Sequence, residues 1–384
     1  MKAIIITFDK YPNQDAGAVR LHMFAHILKD TGYSVKIISM GQSTDFVWKE
    51  KDDIEYVSFR SRREGKCFRI LDYILFPIHL AKELSKETYK VILHTQIDKI
   101  SLDVIKSYSK RKKCNLLYDA VEWFSPEQFM RGEKSRGYKQ NDAYNTKWIG
   151  PEHQVIAISH YLTEHFVKRE IDTINVPVIL DVQEISFKKN LSEDKVKIVY
   201  AGSPGKKDYL GNVVRAIGLL KAEERKKIEF IIIGVTEKQL VDMFGVSRGS
   251  LEQIKSTVKI RGKVSRDEVL KELQSADFTI LIRNEKQRYA KAGFPTKYVE
   301  SLATGTPVIC NLTSDISEYT EDMVNGVVVN DAKEESICVA LEKVLALTGE
   351  QRKAMCLNAR KVAENRFDYR LFTPKIKHFI DKND

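Results

Sequence analysis

Residues 278–311 read FTILIRNEKQRYAKAGFPTKYVESLATGTPVICN. The segment begins with the apolar run FTILIR, passes through a loop that contains Gly293 and Pro295, and then shows a helical pattern from about Thr296. Gly305 ends that pattern before the second apolar run, PVIC. Continuous apolar runs are typical of strands that are buried on both faces of a parallel sheet. The segment is therefore predicted to be a strand, a helix and a second parallel strand.

The same alternation of strand and helix extends along the whole chain. The predicted strands are Ala3–Phe8, Val35–Ser39, Val91–His94, Leu116–Asp119, Gln154–Ile158, Lys197–Ala201, Phe230–Gly234, Val258–Gly262, Phe278–Ile282, Val308–Cys310 and Val327–Val329. The helical patterns between them include Ala18–Asp30, Tyr209–Lys221, Arg266–Gln274, Thr296–Ala303 and Lys333–Leu347. Repeated strand–helix units predict a doubly wound α/β fold with parallel sheets.

The length of 384 residues exceeds what one hydrophobic core usually supports, so two domains are expected. The strand–helix series restarts near Val196, and the polar segment 175–195 before it, NVPVILDVQEISFKKNLSEDK, is interpreted as the linker. Two Rossmann-like halves of this kind face a cleft and bind ligands at the carboxyl ends of their strands. We expect a first domain of residues 1–183 and a second of residues 184–365.

Composition is that of an ordinary globular protein, with 43% hydrophobic and 30% charged residues. The five cysteines are odd in number and lack a C-x2-C pairing, which argues against a disulfide framework and a structural zinc site. The apolar start MKAIIITF is too short for a signal peptide or an anchor, and no apolar stretch of about 20 residues occurs, so a cytoplasmic setting is expected. The net charge of +10 indicates an anionic partner: nucleic acid, a phosphorylated substrate or an anionic membrane surface.

The start of the helix at Thr296 is the strongest candidate site. Thr296 is predicted to be its N-cap, and the free amides at the positive end of a helix dipole bind diphosphate without a metal. Glu300 lies one turn into the helix, where a carboxylate accepts hydrogen bonds from ribose hydroxyls in dinucleotide folds. The alternative is an ordinary loop–helix–strand connection with a solvent-facing Glu300.

The motif E300-S-L-A-T-G-T-P-V-I resembles the end of the E-x7-E motif of glycosyltransferase family 4, and the resemblance covers nearly the whole chain. It implies two Rossmann-like domains in a GT-B fold, a retaining reaction, and a last helix, of about residues 366–384, that packs back on the first domain. It also implies that Glu300 binds the nucleotide ribose. The family's first glutamate falls at Ala292, so its contact with the donor sugar does not carry over to this chain.

The form KAGFPTKYVESLATGTPVI is similar to a subgroup of bacterial cell-envelope polysaccharide enzymes. That similarity implies that the backbone amides of Gly293 and Phe294 meet the donor hydroxyls, with Pro295 and Thr296 beside them at the donor.

Family members also place an arginine and a lysine after the first strand of the second domain, to neutralise the leaving diphosphate. Here residues 200–217 read YAGSPGKKDYLGNVVRAI, so Lys207 matches the lysine, Lys206 lies beside it, and the arginine position holds Ser203 or Pro204. We expect Arg283 to supply the missing cation, and we expect neither Lys207 nor Arg283 in the core. The alternatives are a solvated lysine pair and an Arg283 that serves as the structural partner of an acidic neighbour.

The first domain gives weaker signals. Residues 8–28, FDKYPNQDAGAVRLHMFAHIL, resemble the family's opening loop and helix, where Gly17 lets the backbone approach the donor. Within YDAVEWFSPEQF, Asp119 falls where many relatives have a histidine beside the reacting sugar, so the resemblance gives it a catalytic role toward the acceptor hydroxyl. Glu122 and Trp123 follow as acceptor residues, with Trp123 as a platform for a sugar ring. The alternative is that Asp119 and Glu122 cap the next helix; His94, at the end of VILH, is more often a structural residue.

The segment Arg60–Glu87, RSRREGKCFRILDYILFPIHLAKELSKE, joins basic residues to an aromatic-rich apolar stretch. The basic residues are Arg60, Arg62, Arg63 and Lys66. Such a segment can lie against anionic lipid at the inner face of a membrane and admit a lipid-linked acceptor. The alternative is a core helix that follows a basic loop.

We therefore predict a retaining glycosyltransferase that moves a sugar from a nucleotide-sugar donor to a glycan or lipid-linked glycan acceptor in bacterial surface polysaccharide synthesis. No metal and no other cofactor is expected, since the family retains without one and no D-x-D stretch offers carboxylates for Mn or Mg. No nucleic-acid partner is expected, because no basic helix or zinc pattern appears. The alternatives are a nucleotide-sugar 2-epimerase or hydrolase, a glycosidase, and a non-catalytic nucleotide-sugar-binding protein, the last suggested by Ala292.

Overall fold

The computed structural model describes residues 1–12, 15–41, 43–60, 65–189, 191–203, 205 and 207–382. The chain forms two compact units. The first unit is Met1–Leu180 together with Tyr369–Asp384, and the second unit is Asp181–Asp368. Each unit has its own hydrophobic core, so each is described by itself.

The first unit contains an eight-stranded sheet. Its strands are β1 (Lys2–Ile6), β2 (Ser34–Ser39), β3 (Lys49–Lys51), β4 (Ile54–Ser58), β5 (Val91–His94), β6 (Asn115–Ala120), β7 (Gln154–Ala157) and β8 (Thr173–Asn175). They lie in the order β3-β4-β2-β1-β5-β6-β7-β8, and all neighbours are parallel except β3 with β4. The accompanying helices are α1 (Ala16–Asp30), α2 (Lys66–Lys86), α3 (Lys99–Lys112), α4 (Arg136–Ala143) and α5 (His160–Val167).

The sequence explains the centre of this sheet directly. β1 reads KAIII, and every residue after Lys2 is buried, as expected for a central parallel strand. α1 begins after Asp15, whose carboxylate accepts a hydrogen bond of 3.0 Å from the amide of Ala18 and so caps the helix. Leu21, Phe24 and the rest of its apolar stripe then pack into the core of the first unit.

The second unit contains a six-stranded, fully parallel sheet. Its strands are β9 (Val196–Ala201), β10 (Ile228–Ile233), β11 (Val258–Arg261), β12 (Phe278–Leu281), β13 (Val308–Cys310) and β14 (Gly326–Val328). They lie in the order β11-β10-β9-β12-β13-β14. The helices are α6 (Leu210–Leu219), α7 (Ala222–Lys226), α8 (Glu237–Phe244), α9 (Arg248–Gln253), α10 (Arg266–Ser275), α11 (Arg288–Ala292), α12 (Thr296–Ala303), α13 (Glu334–Leu345) and α14 (Gly349–Arg366).

The chain returns to the first unit at its carboxyl end. A short 3-10 turn, Tyr369–Phe372, precedes α15 (Thr373–Asp381), which packs against α1. Ile376 and Phe379 are buried in the core of the first unit. The side-chain amide of Asn115 also donates a hydrogen bond of 3.0 Å to the carbonyl of Ile380, which ties α15 to β6.

The predicted doubly wound fold with two parallel sheets is confirmed, but three strands of the first sheet were missed. β3 and β8 lie at its two edges, and β4 pairs with β3. β3 reads KEK and is mostly exposed, so no apolar run marks it, and β8 is a half-buried strand of three residues. Edge strands bury less surface than central ones and therefore carry a weaker hydrophobic signal.

Candidate functional site

The loop between α11 and α12 sets the position of the first turn of α12. Pro295, with ψ of 113°, occupies the N-cap position and its side chain forms no capping hydrogen bond, so the prediction that Thr296 is the N-cap is wrong. Thr296 is instead the first helical residue, because the fixed φ of proline suits the extended residue that precedes a helix. The first amides of α12 have no acceptor within the helix and lie at its positive end.

Gly293 and Phe294 are committed largely to the fold. The amide of Gly293 donates to the carbonyl of Tyr289 at 3.0 Å and closes α11, which competes with its predicted contact to the donor. The side chain of Phe294 is buried and packs edge-on against Tyr298 and Tyr319. Any contact of Phe294 with a ligand is therefore made by its backbone. Ala292, where the motif's first glutamate would stand, is fully buried.

Glu300 does not face solvent freely. Its Oε1 lies 2.9 Å from the guanidinium of Arg266 at the start of α10, and its side chain is 19% exposed. Burial raises the pKa of Glu300, and the charges of Arg266 and Lys297 oppose that rise. The carboxylate of Glu300, one turn into α12, is thus held in place by Arg266, and part of it is still accessible to a ligand.

Asp208, in the loop after β9, is the centre of a charged cluster. Its carboxylate is 6% exposed and contacts the Nε of Arg283 at 3.2 Å, the Nζ of Lys297, and the hydroxyl of Tyr200 at 3.0 Å. Burial alone would raise the pKa of Asp208, but the charges of Lys297 and Arg283 lower it to about 2. The carboxylate is therefore ionised at neutral pH.

Arg283 is held more tightly than the sequence predicted. Its side chain is only 11% exposed, although it belongs to neither the buried residues nor the hydrophobic core of the second unit. Its amide donates to Oδ1 of Asn311 at 2.9 Å, and its carbonyl accepts from Nδ2 of the same residue at 2.7 Å. With Asp208 bound to its guanidinium, Arg283 is the structural partner of an acidic neighbour, as in the alternative interpretation.

Lys207 precedes Asp208 in the chain, is half-buried, and accepts at its carbonyl a 2.9 Å hydrogen bond from the hydroxyl of Tyr289. Its charge opposes protonation of Lys297, so the two ammonium groups share one neighbourhood. Lys206, the other predicted lysine, lies outside the described residues.

Sequence reasoning missed Lys297. It is the second residue of α12, and its Nζ contacts Asp208, lies 3.3 Å from the hydroxyl of Tyr200, and sits 4.7 Å from the centre of that ring. A lysine in the first turn of the helix that was predicted to bind diphosphate is the signal that would have found it.

In the first unit, Gly17 makes room for a carboxylate. A Cβ on Gly17 would lie 2.7 Å from the carboxyl carbon of Asp9, closer than packed atoms allow. Asp9 follows β1, accepts a 2.8 Å hydrogen bond from the hydroxyl of Thr7, and is half-buried. Burial raises its pKa to about 6, and the nearby charges of Asp119 and Glu122 act in the same direction. Sequence reasoning missed Asp9, although a carboxylate directly after a central parallel strand is a standard signal for a site.

Asp119 and Trp123 are both engaged within the first unit. Asp119 is 2% exposed, and both of its oxygens accept hydrogen bonds of 3.0–3.1 Å from the Nε of Arg20. The indole of Trp123 is buried and donates to Asp142 at 3.0 Å. Neither side chain is exposed enough to contact a sugar acceptor at the surface. Both oxygens of Asp119 accept hydrogen bonds from Arg20, so Asp119 forms a buried ion pair and is not the helix cap that the sequence offered as an alternative.

Glu122 is half-buried, and its charge reaches Asp9. His94 is completely buried and bonds the carbonyl of Thr95 at 2.9 Å, and burial lowers its pKa to about 3. That environment is structural.

α2 exposes an apolar face over its first four turns. The exposed side chains, which are 37–63% accessible, are Phe68, Ile70, Leu71, Tyr73, Ile74 and Ile78. Exposed Lys66 and Arg69 accompany them, whereas Arg62 and Arg63 lie outside the described residues. The core-helix alternative holds for the rest of α2, where Leu80 and Leu84 are buried. Among the helices of the described part, none is both long and apolar enough to cross a membrane.

Solved structures with the same architecture identify the fold. Sucrose-phosphate synthase of Thermosynechococcus elongatus superposes with a TM-score of 0.76 at 12% identity, over 100% of this chain and 99% of that one. HepE of Anabaena, solved with UDP and glucose and also with UDP-glucose, gives a TM-score of 0.72 at 14% identity over all of both chains in the former complex. The fold of this protein is therefore GT-B, as predicted.

The second unit gives the more particular result. Residues 181–362 match the family described as Glycosyl transferases group 1. MJ1069 of Methanocaldococcus jannaschii, described as an uncharacterized glycosyltransferase, is 19% identical over 237 residues. These are 59% of this chain and 58% of that protein, so the match spans little more than half of the relative. These findings support a glycosyltransferase of GT-B type.

Proposed function

We propose that this protein is a retaining glycosyltransferase that moves a sugar from a nucleotide-sugar donor to a glycan or lipid-linked glycan acceptor. The observation that carries the proposal is the charged cluster at the start of α12. Arg283 and Lys297 contact the carboxylate of Asp208, and the charge of Lys207 acts on Lys297, all in the unit that matches the glycosyl transferases. The surplus of positive charge suits a diphosphate, and the first amides of α12 supply donors to its oxygens.

The nucleotide would bind beside this cluster. Glu300 lies on the same helix as Lys297 and is fixed by Arg266 at 2.9 Å. A carboxylate held in this way can accept hydrogen bonds from two ribose hydroxyls without first having to be ordered. The solved complexes of HepE with UDP and UDP-glucose give a precedent on the same fold for a donor of this kind.

The chemistry we propose needs no metal, because cations of the protein stabilise the leaving group. The bond between the anomeric carbon and the phosphate oxygen breaks while the acceptor oxygen bonds to the same carbon and face. The acceptor proton passes to the departing phosphate, which leaves as nucleoside diphosphate. Each positive partner lowers the barrier because negative charge grows on the diphosphate in the transition state.

The acceptor would meet the first unit near Asp9. This carboxylate follows β1, is half-buried, and ionises near pH 6 because burial raises its pKa to about 6. We propose that it accepts a hydrogen bond from the acceptor hydroxyl, in place of the predicted Asp119, whose oxygens are occupied by Arg20. A lipid-linked acceptor further suits the exposed apolar face of α2 and its cations Lys66 and Arg69. The similarity of residues 291–309 to envelope polysaccharide enzymes supports the same class of acceptor.

One experiment separates this proposal from its alternatives. The purified chain is incubated with a panel of nucleotide sugars, with and without glycan acceptors and with EDTA. Transfer with retained anomeric configuration by NMR, unchanged by EDTA, is the expected result. Release of free sugar or an epimer without acceptor would identify a hydrolase or an epimerase. Tight nucleotide-sugar binding with no turnover toward any acceptor would identify a binding protein, and an inverted product would contradict the mechanism.

A further inference from the structure

Lys297 connects the start of α12 to the end of β9. Its Nζ contacts Asp208 and lies 3.3 Å from the hydroxyl of Tyr200, the fifth residue of β9. Two residues later in the chain is Gly202, and a Cβ there would collide with the Nζ and Cε of Lys297. The ammonium group therefore lies in space that the absence of a side chain at position 202 leaves open, and an alanine there would require it to move.

Exposure distinguishes the two cations that bind Asp208. The side chain of Lys297 is 33% exposed, whereas that of Arg283 is 11% exposed and Asp208 itself is 6% exposed. Lys297 is thus the member of the cluster that solvent and ligands can reach, and Arg283 supports it from the interior. A buried carboxylate with two cations also leaves a positive charge unbalanced before Lys207 is counted.

The position of Lys297 on α12 adds a second source of positive potential. It is the second residue of an eight-residue helix, so its own amide is among those without an acceptor inside the helix. An anion at this end would meet backbone amides and the ammonium group together, and both kinds of donor favour phosphate.

We infer that Lys297 is a diphosphate-binding cation of the donor site, held in position by Asp208, and that it takes the part for which sequence reasoning selected Arg283. The inference rests on the proposed function, since it requires that the second unit binds a nucleoside diphosphate.

The test measures affinity by isothermal titration calorimetry on the full chain. UDP, GDP, ADP and CDP are first titrated into the wild-type protein, and the tightest is kept as the probe. The probe and its parent nucleoside are then compared for Lys297→Met, Lys297→Arg and Lys353→Met. Lys353 is the control, since it is an exposed lysine on α14 of the same unit. NMR titration gives the weaker nucleoside affinities.

Lys297→Met is expected to weaken the nucleoside diphosphate by roughly ten-fold or more, the usual effect of losing a charged hydrogen bond, while the nucleoside changes less than two-fold. Lys297→Arg and Lys353→Met should stay close to wild type. A folded Lys297→Met protein that binds the diphosphate as well as wild type does would overturn the inference and leave the donor site standing. If the wild-type chain binds none of the four diphosphates, the proposed function fails as well.

A second variant keeps the test decisive if Lys297→Met does not fold. Gly202→Ala retains the lysine but places a methyl group where its ammonium lies. We expect several-fold weaker binding of the diphosphate with the nucleoside unchanged. Wild-type diphosphate affinity in Gly202→Ala would contradict the inference that Asp208 must hold the ammonium group in this position to bind the diphosphate.

Discussion

The carboxylate of Asp208 lies 3.2 Å from the Nε of Arg283, and the backbones of the same two residues form an isolated antiparallel bridge. One residue follows β9 and the other follows β12, so this double link fixes the edge of the sheet at which the cations gather. It also means that removing Arg283 changes both the architecture and the charge of the cluster.

Arg283→Ala is therefore expected to lower stability as well as turnover. The loss of a charged hydrogen bond to a buried carboxylate should cost about 2 kcal/mol of unfolding free energy, with Lys297 still present to compensate Asp208. Turnover should fall by less than the roughly 100-fold expected for removing a group that contacts the donor, because Arg283 acts through its support of Asp208 and Lys297. Denaturant unfolding and initial rates with the identified donor check the two effects. Loss of turnover without any loss of stability would show that Arg283 acts on the donor alone.

Unlike Arg283→Ala, Lys207→Ala should lower turnover without lowering stability. The side chain of Lys207 is half-buried and lies in a turn outside the strands, so we expect the free energy of unfolding to be unchanged. Turnover should fall on the order of 100-fold, comparable to removal of one transition-state donor. Lys271→Ala, at an exposed position on α10, is the control. Near-normal rates for Lys207→Ala together with a loss in Lys206→Ala would transfer the role to the neighbouring lysine.

Glu300→Gln should weaken the donor, because a neutral amide accepts less strongly from ribose hydroxyls. The difference is roughly 1.5–3 kcal/mol, or about ten-fold or more in affinity. Titration with the ribonucleoside diphosphate and with its 2′-deoxy form checks the assignment, since the variant should lose its preference for the ribose form. Equal affinities of wild type and variant for the ribonucleotide would show that Glu300 serves only Arg266.

Asp9→Asn is expected to raise stability and lower activity. The folded pKa of Asp9 is about 6, above the ordinary value of 3.8, so the ionised carboxylate disfavours the folded state. The contribution of protonated Asp9 to the free energy of unfolding is fully present below pH 3.8 and is lost as the pH rises through about 6. The melting temperature of Asp9→Asn should therefore exceed that of the wild-type protein at pH 7.5, and the two should be equal below pH 3.8.

The same variant should reduce turnover and remove an activity limb near pH 6, where the wild-type carboxylate ionises. Rates measured from pH 5 to pH 8 test this role. If the rate of Asp9→Asn depended on pH in the same way as the rate of the wild-type protein, Asp9 would have no role in the acceptor step.

Ile74→Glu should abolish binding to lipid vesicles without changing the fold, because Ile74 is 63% exposed on α2. Co-sedimentation with phosphatidylcholine vesicles, with and without phosphatidylglycerol, measures the effect, and anionic vesicles are expected to bind the wild-type chain more strongly. Val339→Glu, at a 52% exposed apolar position on α13, is the matched control. Equal sedimentation of the two variants would contradict a lipid-binding role for α2.

Much of the fold was predictable because central parallel strands are continuous apolar runs. AIII in β1 and FIII in β10 are buried along their whole length, and local composition alone identifies them. The same holds for α12, whose start after Pro295 was placed correctly although its cap was not. The edge strand β3 was missed because a mostly exposed strand reads KEK and has no apolar period.

The sequence by itself determined the two parallel-sheet units and the helix start that gathers the candidate donor site, since both follow from local runs of residues. Only the tertiary structure decided which charges meet. Asp208 and Lys297 are 89 positions apart, and Asp119 and Arg20 are 99 apart. Each pair forms because the strand order of its sheet brings together elements that are distant in the chain. Burial then makes an unpaired carboxylate too costly to leave without a cation. Periodicity describes which face of an element is buried, but the partner of a buried charge depends on the order of the strands.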